Sequence, residues 1–339
     1  MTLLVVSAML TGGNCEPNGM TGPSWQLVLN NLSGGLLSVS GTSASDIYVV
    51  GADPGDGKGP LVIHYDGLQW TRLDSGASGD LWWISDRLIG GSFYMGGEGG
   101  LLMRYTPSTG QFQPFTTPGT DTVFGVWGDS ASDIVACGGD ISDPDDSGFV
   151  WRFNGAQWAS EDLSAINPAG IPVGFKVWGR SANEVYVCGG RGLMLLYGGA
   201  SWMQLATGTT RTLFTVHGNG GLAVGCGGAQ SGVLVEKNGN AFSDVAPPGL
   251  LQMNGVFVSP GGTAITVGRE GSVAFRGATG WEIQNTGLNL DLLLDYHAAW
   301  IDPAGGIWAV GGNIAGEPRT SGVVSYYGTG MIGTTLIDN

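Results

Sequence analysis

The stretch VWGDSASDIVACG at 126–138 decides the fold. A short apolar run, a turn of Gly, Asp and Ser, and a second apolar run ending in Gly read as two antiparallel strands around a tight turn. The same pattern returns as VSGTSASDIYVVG at 39–51 and VWGRSANEVYVCG at 177–189, and in shorter form as VHGNGGLAVGCG at 216–227 and AWIDPAGGIWAVG at 299–311. Downstream, LVIHYDGLQW at 61–70, FVWRFNGAQW at 149–158 and LMLLYGGASW at 193–202 form a second hairpin. In these the pairs DG, NG and GG supply the positive φ that two-residue turns require.

Read throughout the chain, the pattern gives seven copies whose first strands begin near Leu36, Leu81, Val123, Phe175, Leu213, Gly255 and Ala298. Their spacing of about 40 to 50 residues is that of a propeller blade, each with strands A to D. Two aromatic columns mark the register. One follows strand A through Trp83, Trp127, Trp178, His217, Phe257 and Trp300, with Ser40 in blade one. The other opens strand D with Trp70, Phe112, Trp158, Trp202, Phe242 and Trp281. The seventh copy lacks its own aromatic D strand, but Ser24-Trp25-Gln26-Leu27-Val28 before the first copy matches Gln69-Trp70-Thr71-Arg72-Leu73. The expected fold is therefore an all-β, seven-bladed β-propeller of four-stranded blades spanning 24–330, its last blade closed by the N-terminal strand 24–29, with a C-terminal tail at 331–339. Closure of this kind removes the open sheet edges that invite aggregation.

Composition agrees. In 339 residues, 63 glycines, 12 tryptophans and 12% charged residues suit short strands and tight turns rather than a disordered chain. The net charge of −15, from 13 basic against 28 acidic residues, argues against nucleic acid or an anionic membrane as partner. No run reaches the roughly 18 to 20 apolar residues of a membrane-spanning helix. The apolar stretch from Leu3 to Leu10, followed by Asn14-Cys15, makes 1–23 an export signal or a flexible leader, with Cys15 the candidate lipid attachment point of a lipoprotein. The expected setting is extracytoplasmic, and membrane contact is expected only through that anchor.

Copies of the form VWGxSxxDVYxVG followed by HYDGxxW resemble the tandem repeats of exported bacterial β-propeller proteins. That group is distantly similar to sialidase-type Asp-box propellers and to photosystem-assembly propellers. The resemblance covers about 24–330 and implies the fold but no activity. The chain keeps only the Gly turn and the aromatic of the Asp-box pattern SxDxGxxW, so sialidase chemistry does not carry over.

The A–B and C–D turns emerge at one end of such a propeller, and the B–C turns and D–A links at the other. The first are nearly uniform between copies and the second vary, which places a binding face at the B–C/D–A end. The candidate ligand-binding residues there are Trp82, Glu98, Arg191, Arg269, Glu270, His297 and Arg319. In the loop GGDISDPDDSG, Asp140, Asp143, Asp145 and Asp146 are the candidate metal ligands, and Ca²⁺ is the cation such a set of carboxylates suits. No other cofactor is expected. Cys137, Cys188 and Cys226 share one place at the end of strand B, where other blades carry Val50, Met95, Val267 and Val310. They read as core residues too far apart for a disulfide, which needs Cα atoms within about 7 Å. His64 and His217 fall in repeat positions and read as structural. No nucleophile elbow, HExxH helix or phosphate loop occurs.

The leading functional reading is a non-enzymatic, monomeric binding or scaffold propeller recognising a glycan or a protein. The alternative is a polysaccharide hydrolase or lyase using the Asp and Glu residues of the same loops.

Overall fold

The computed structural model describes residues 22–290 and 294–338. Seven antiparallel sheets form a ring with almost no helix, a seven-bladed all-β propeller. Strand A of successive blades runs along the central channel as Leu36–Ser43, Leu81–Ile84, Thr122–Ser130, Gly174–Ser181, Leu213–Asn219, Met253–Val258 and Asp295–Ile301. The core lies between blades. Val, Leu and Ile of strands A, B and C pack there with almost no exposure, as do Cys137, Cys188 and Cys226.

Strand D forms the rim, and its aromatic column is held by cross-strand pairs. Trp70 stands opposite Tyr65, Phe112 opposite Tyr105, Trp158 opposite Phe153 and Trp202 opposite Tyr197, with ring centroids 4.5 to 5.3 Å apart. In blade six the same place is polar: Trp281 lies opposite Arg276 and donates its indole N–H to Glu236 at 2.7 Å.

Blade seven is composite. Ser24–Leu32 pairs antiparallel with Thr320–Gly328, Trp25 standing opposite Tyr327 at a ring distance of 5.4 Å. At the other terminus, Leu336–Ile337 pairs parallel with strand D of blade one, so the segment expected as a tail adds a fifth strand to that sheet. The Trp70 indole donates to the Gly333 carbonyl at 2.9 Å, fixing the approach of that segment.

Blade two departs from the expected register. Trp83 pairs with Gly96, the place that Gly125 and Cys137 hold in blade three and Lys176 and Cys188 in blade four. Trp83 therefore belongs two positions earlier than the aromatic column assumed for it, and Ser85 occupies that column's place. Likewise Gly96, not Met95, corresponds to the three cysteines. The cause is a short strand A ending at Ile84, which leaves the column's place just outside it at Ser85, while the adjacent tryptophans supply the aromatic that the pattern looks for.

Candidate functional site

In every blade the pairing of strands A and B slips by one residue near the start of strand A. The residues left unpaired are Leu37, Trp82, Phe124, Phe175, Phe214, Asn254 and His297, one per blade. A bulge of this kind re-aims a side chain and is common beside functional sites. Here six of these residues, from Trp82 to His297, line a cavity of about 310 Å³ where the channel opens at the B–C/D–A end. Four rings form a continuous arc: Trp82 to Phe124 at 5.0 Å, Phe124 to Phe175 at 5.3 Å and Phe175 to Phe214 at 5.4 Å. Ile141 and Ile314 from the long B–C loops add apolar surface at the rim.

The polar groups of the mouth are few. His297 donates its Nδ1 proton to the Leu37 carbonyl, which fixes the tautomer because a carbonyl only accepts. Burial, with the nearby Lys176 charge, pulls its pKa down to about 3, so the ring is neutral at physiological pH. Asn254 donates to the Tyr296 carbonyl at 2.8 Å. Asp295 accepts the Glu270 backbone N–H at 2.9 Å. Lys176, one residue past the bulge in blade four, reaches the same cavity and is 4% exposed.

Arg319 lies across Trp82, its guanidinium carbon 4.4 Å from the ring centre. Its Nη1 is 2.5 Å from Asp80 and 3.6 Å from Glu98, and it also pairs with Glu317. Asp80, Glu98 and Glu317 are the group of carboxylates that comes close enough to share a cation among the described residues. The Arg319 guanidinium is the cation they share here, a charge-assisted network in which three carboxylates face one positive group. Burial raises the Glu98 pKa, which is consistent with a carboxylate crowded against other acids. Arg319 covers one face of Trp82, whose indole N–H is buried without a partner, while the ring lines the cavity.

Of the expected site residues, Trp82, His297 and Arg319 meet at this mouth, and Glu98 contacts it through Arg319. Arg191, Arg269 and Glu270 lie on short 3-10 turns between strands B and C, at the same end but outside the cavity. Arg191 and Glu270 adopt φ of 55° and 56°, where blade two has Gly99. Arg191 pairs with Asp145, and Arg269 with Glu270 at 3.3 Å. In the acidic loop, Asp140 accepts both the N–H and the hydroxyl of Ser142 at 2.8 Å. Its carboxylate closes that loop, and Asp140, Asp143, Asp145 and Asp146 do not gather to ligating distance. Cys15 lies outside the described residues. Cys137, Cys188 and Cys226 are buried free thiols.

Phe124, Phe175, Phe214, Asn254 and Lys176 complete the mouth and were legible only as a column: each of the first four is the second or third residue of its strand A, as Trp82 and His297 are. The channel also opens at the opposite end, into a cavity of about 390 Å³ that includes Asp86, Trp178, His217 and Trp300. The polar groups there answer one another: His217 accepts the Val258 N–H at its Nδ1 and faces Asp86 at 3.3 Å, and Arg180 faces Glu184 at 3.0 Å.

No protein-family model matches the sequence, and no curated protein matches it significantly. Solved structures do. The WD40 repeats of RRP9 align with a TM-score of 0.64 at 14% identity, over 91% of this chain and 99% of that one. U3-55K gives 0.66 at 14%, over 91% and 100%. YCF48 from Cyanidioschyzon merolae gives 0.65 at 13%, over 90% and 98%. At such identity the likeness is one of fold.

Proposed function

We propose that the protein is a non-enzymatic binding propeller that docks an apolar segment of a partner protein in the aromatic mouth at the B–C/D–A end. The observation that carries this reading is the bulge repeated in all seven blades, which in six of them turns a mostly apolar set of side chains into one cavity. Such a cavity rewards an apolar side chain, whereas a glycan needs many directed polar partners and an open aromatic face. Glycoside hydrolysis needs two carboxyl groups facing each other across the bond. Asp295 is the carboxylate among the residues lining the mouth, and Asp140, Glu98 and Glu270 are engaged elsewhere. The likeness to WD40 propellers accords with a protein partner. Calcium at the acidic loop and export with a lipid at Cys15 rest on the sequence alone. Mass measurement of the mature N-terminus tests the second.

Panning a random-peptide display library against the purified protein tests the main reading, with a Phe175→Glu, Phe214→Glu double variant as the counter-target. Apolar peptides that bind the parent and lose the variant are expected. Glycan-array binding without peptide enrichment would overturn it.

A further inference from the structure

At the floor of the mouth a lysine is buried with no negative charge beside it. The Lys176 amine donates to the Phe124 carbonyl at 3.1 Å and rests 3.4 Å from the centre of the Trp83 ring. Among the described residues no carboxylate lies within ion-pair distance of it. The other buried cations are matched: Arg72 has Asp56 at 2.5 Å, and Arg319 has Asp80. Cys137, Cys188 and Cys226 face Lys176, but burial holds their thiols protonated, so they supply no counter-charge.

An ammonium carries three N–H donors. The Phe124 carbonyl takes one, and an aromatic face stabilises charge without accepting a second directed bond in the plane of approach. Burial pulls the Lys176 pKa down to about 7, the response of a cation that lacks an anion. Nor does the fold call for lysine here. The equivalent position holds Ser38, Trp83, Gly125, Thr215, Gly255 and Ala298 in the other blades.

We propose that Lys176 is the anion subsite of this mouth, accepting the carboxylate of a ligand whose apolar body lies against the aromatic arc. The inference rests on the mouth being a docking site and names the chemistry of its occupant: a carboxylate carried on an apolar body. A chain terminus ending in apolar residues has that chemistry, and so does a small free acid. The incoming carboxylate completes the donors of the amine and restores its charge, a charge-assisted contact in a cavity where water competes poorly.

Calorimetry with two matched pairs tests it. N-acetyl-leucyl-phenylalanine is compared as the free acid and as the amide, and 4-phenylbutyrate is compared with 4-phenylbutanamide. The acid of at least one pair should bind roughly ten- to a hundredfold tighter than its amide, and Lys176→Met should abolish that preference. The peptide pair alone showing it identifies a chain terminus, and the small pair alone a free acid. Equal binding of acid and amide would overturn the anion subsite while leaving the docking site standing. No binding by either pair at millimolar concentration would overturn both. The acid-to-amide comparison on the parent protein stands even if Lys176→Met fails to fold.

Discussion

A buried lysine pulled to a pKa of about 7 ties stability to pH with a definite sign. Between about 7 and the ordinary 10.5 the unfolded chain holds a proton that the folded chain releases, so stability rises with pH across that window. Below it the lysine is charged in both states and the folded state carries the full desolvation cost, on the order of a few kcal/mol. Lys176→Met should therefore be more stable than the parent at pH 6. Its unfolding midpoint in denaturant should also lose most of the rise from pH 7 to 10. His297 acts in a separate window. Its folded pKa of about 3 lies below the ordinary 6.5, so stability falls as pH drops from 6.5 towards 3. Replacing His297 with Asn should flatten that acid limb. Asp80 makes the complementary case, since it is the buried partner of Arg319. Asp80→Asn leaves the guanidinium short of its buried anion, and the expected loss is about 3 kcal/mol, softened by Glu98 and Glu317.

At the scale of elements, blades three and four approach closely beside the bulge. Gly125 follows the bulged Phe124, and a Cβ there would meet the Val177 nitrogen at 2.8 Å and the Lys176 Cα at 3.0 Å. These are backbone atoms of blade four that cannot step aside, so Gly125→Ala should destabilise by roughly 1–3 kcal/mol and disturb the mouth. The B–C turns respond in the opposite direction. Arg191 holds a left-handed conformation at 64% side-chain exposure, and Gly99 shows that the turn accepts glycine there. Arg191→Gly should be neutral or stabilising by up to about 1 kcal/mol in thermal unfolding, whereas Arg191→Val should destabilise.

For the whole molecule, both termini act as closures. Ser24–Leu32 supplies the outer strand of blade seven, and Leu336–Ile337 caps strand D of blade one. Removing residues through Val28 strips Trp25 from Tyr327 and exposes the edge of Thr320–Gly328. Aggregation, or a marked fall in thermal midpoint, is the expected outcome of that truncation by light scattering and calorimetry. A well-folded monomer of unchanged stability would contradict the closure.

The blade count, the composite seventh blade and the end of the ring that carries the variable loops were all legible in the sequence. Each is repeated locally: hairpin turns need DG or NG at fixed places, and the missing D strand of one terminus reappears at the other. The register of blade two was not, because the tryptophan pair draws the aromatic column to itself, and only the pairing of Trp83 with Gly96 shows that the column's place falls on Ser85. The mouth itself was half legible. Trp82, His297 and Arg319 stood out in the sequence, but nothing there singled out Phe124, Phe175 and Phe214 for the mouth, because it is the bulge that turns them into the channel. Lys176 became informative only when neighbouring blades surrounded it, since the absence of a partner is a property of space, not of sequence. Periodicity along a chain fixes which residues share a strand; which side chains meet across seven blades depends on ring closure, and that is decided by the packed molecule.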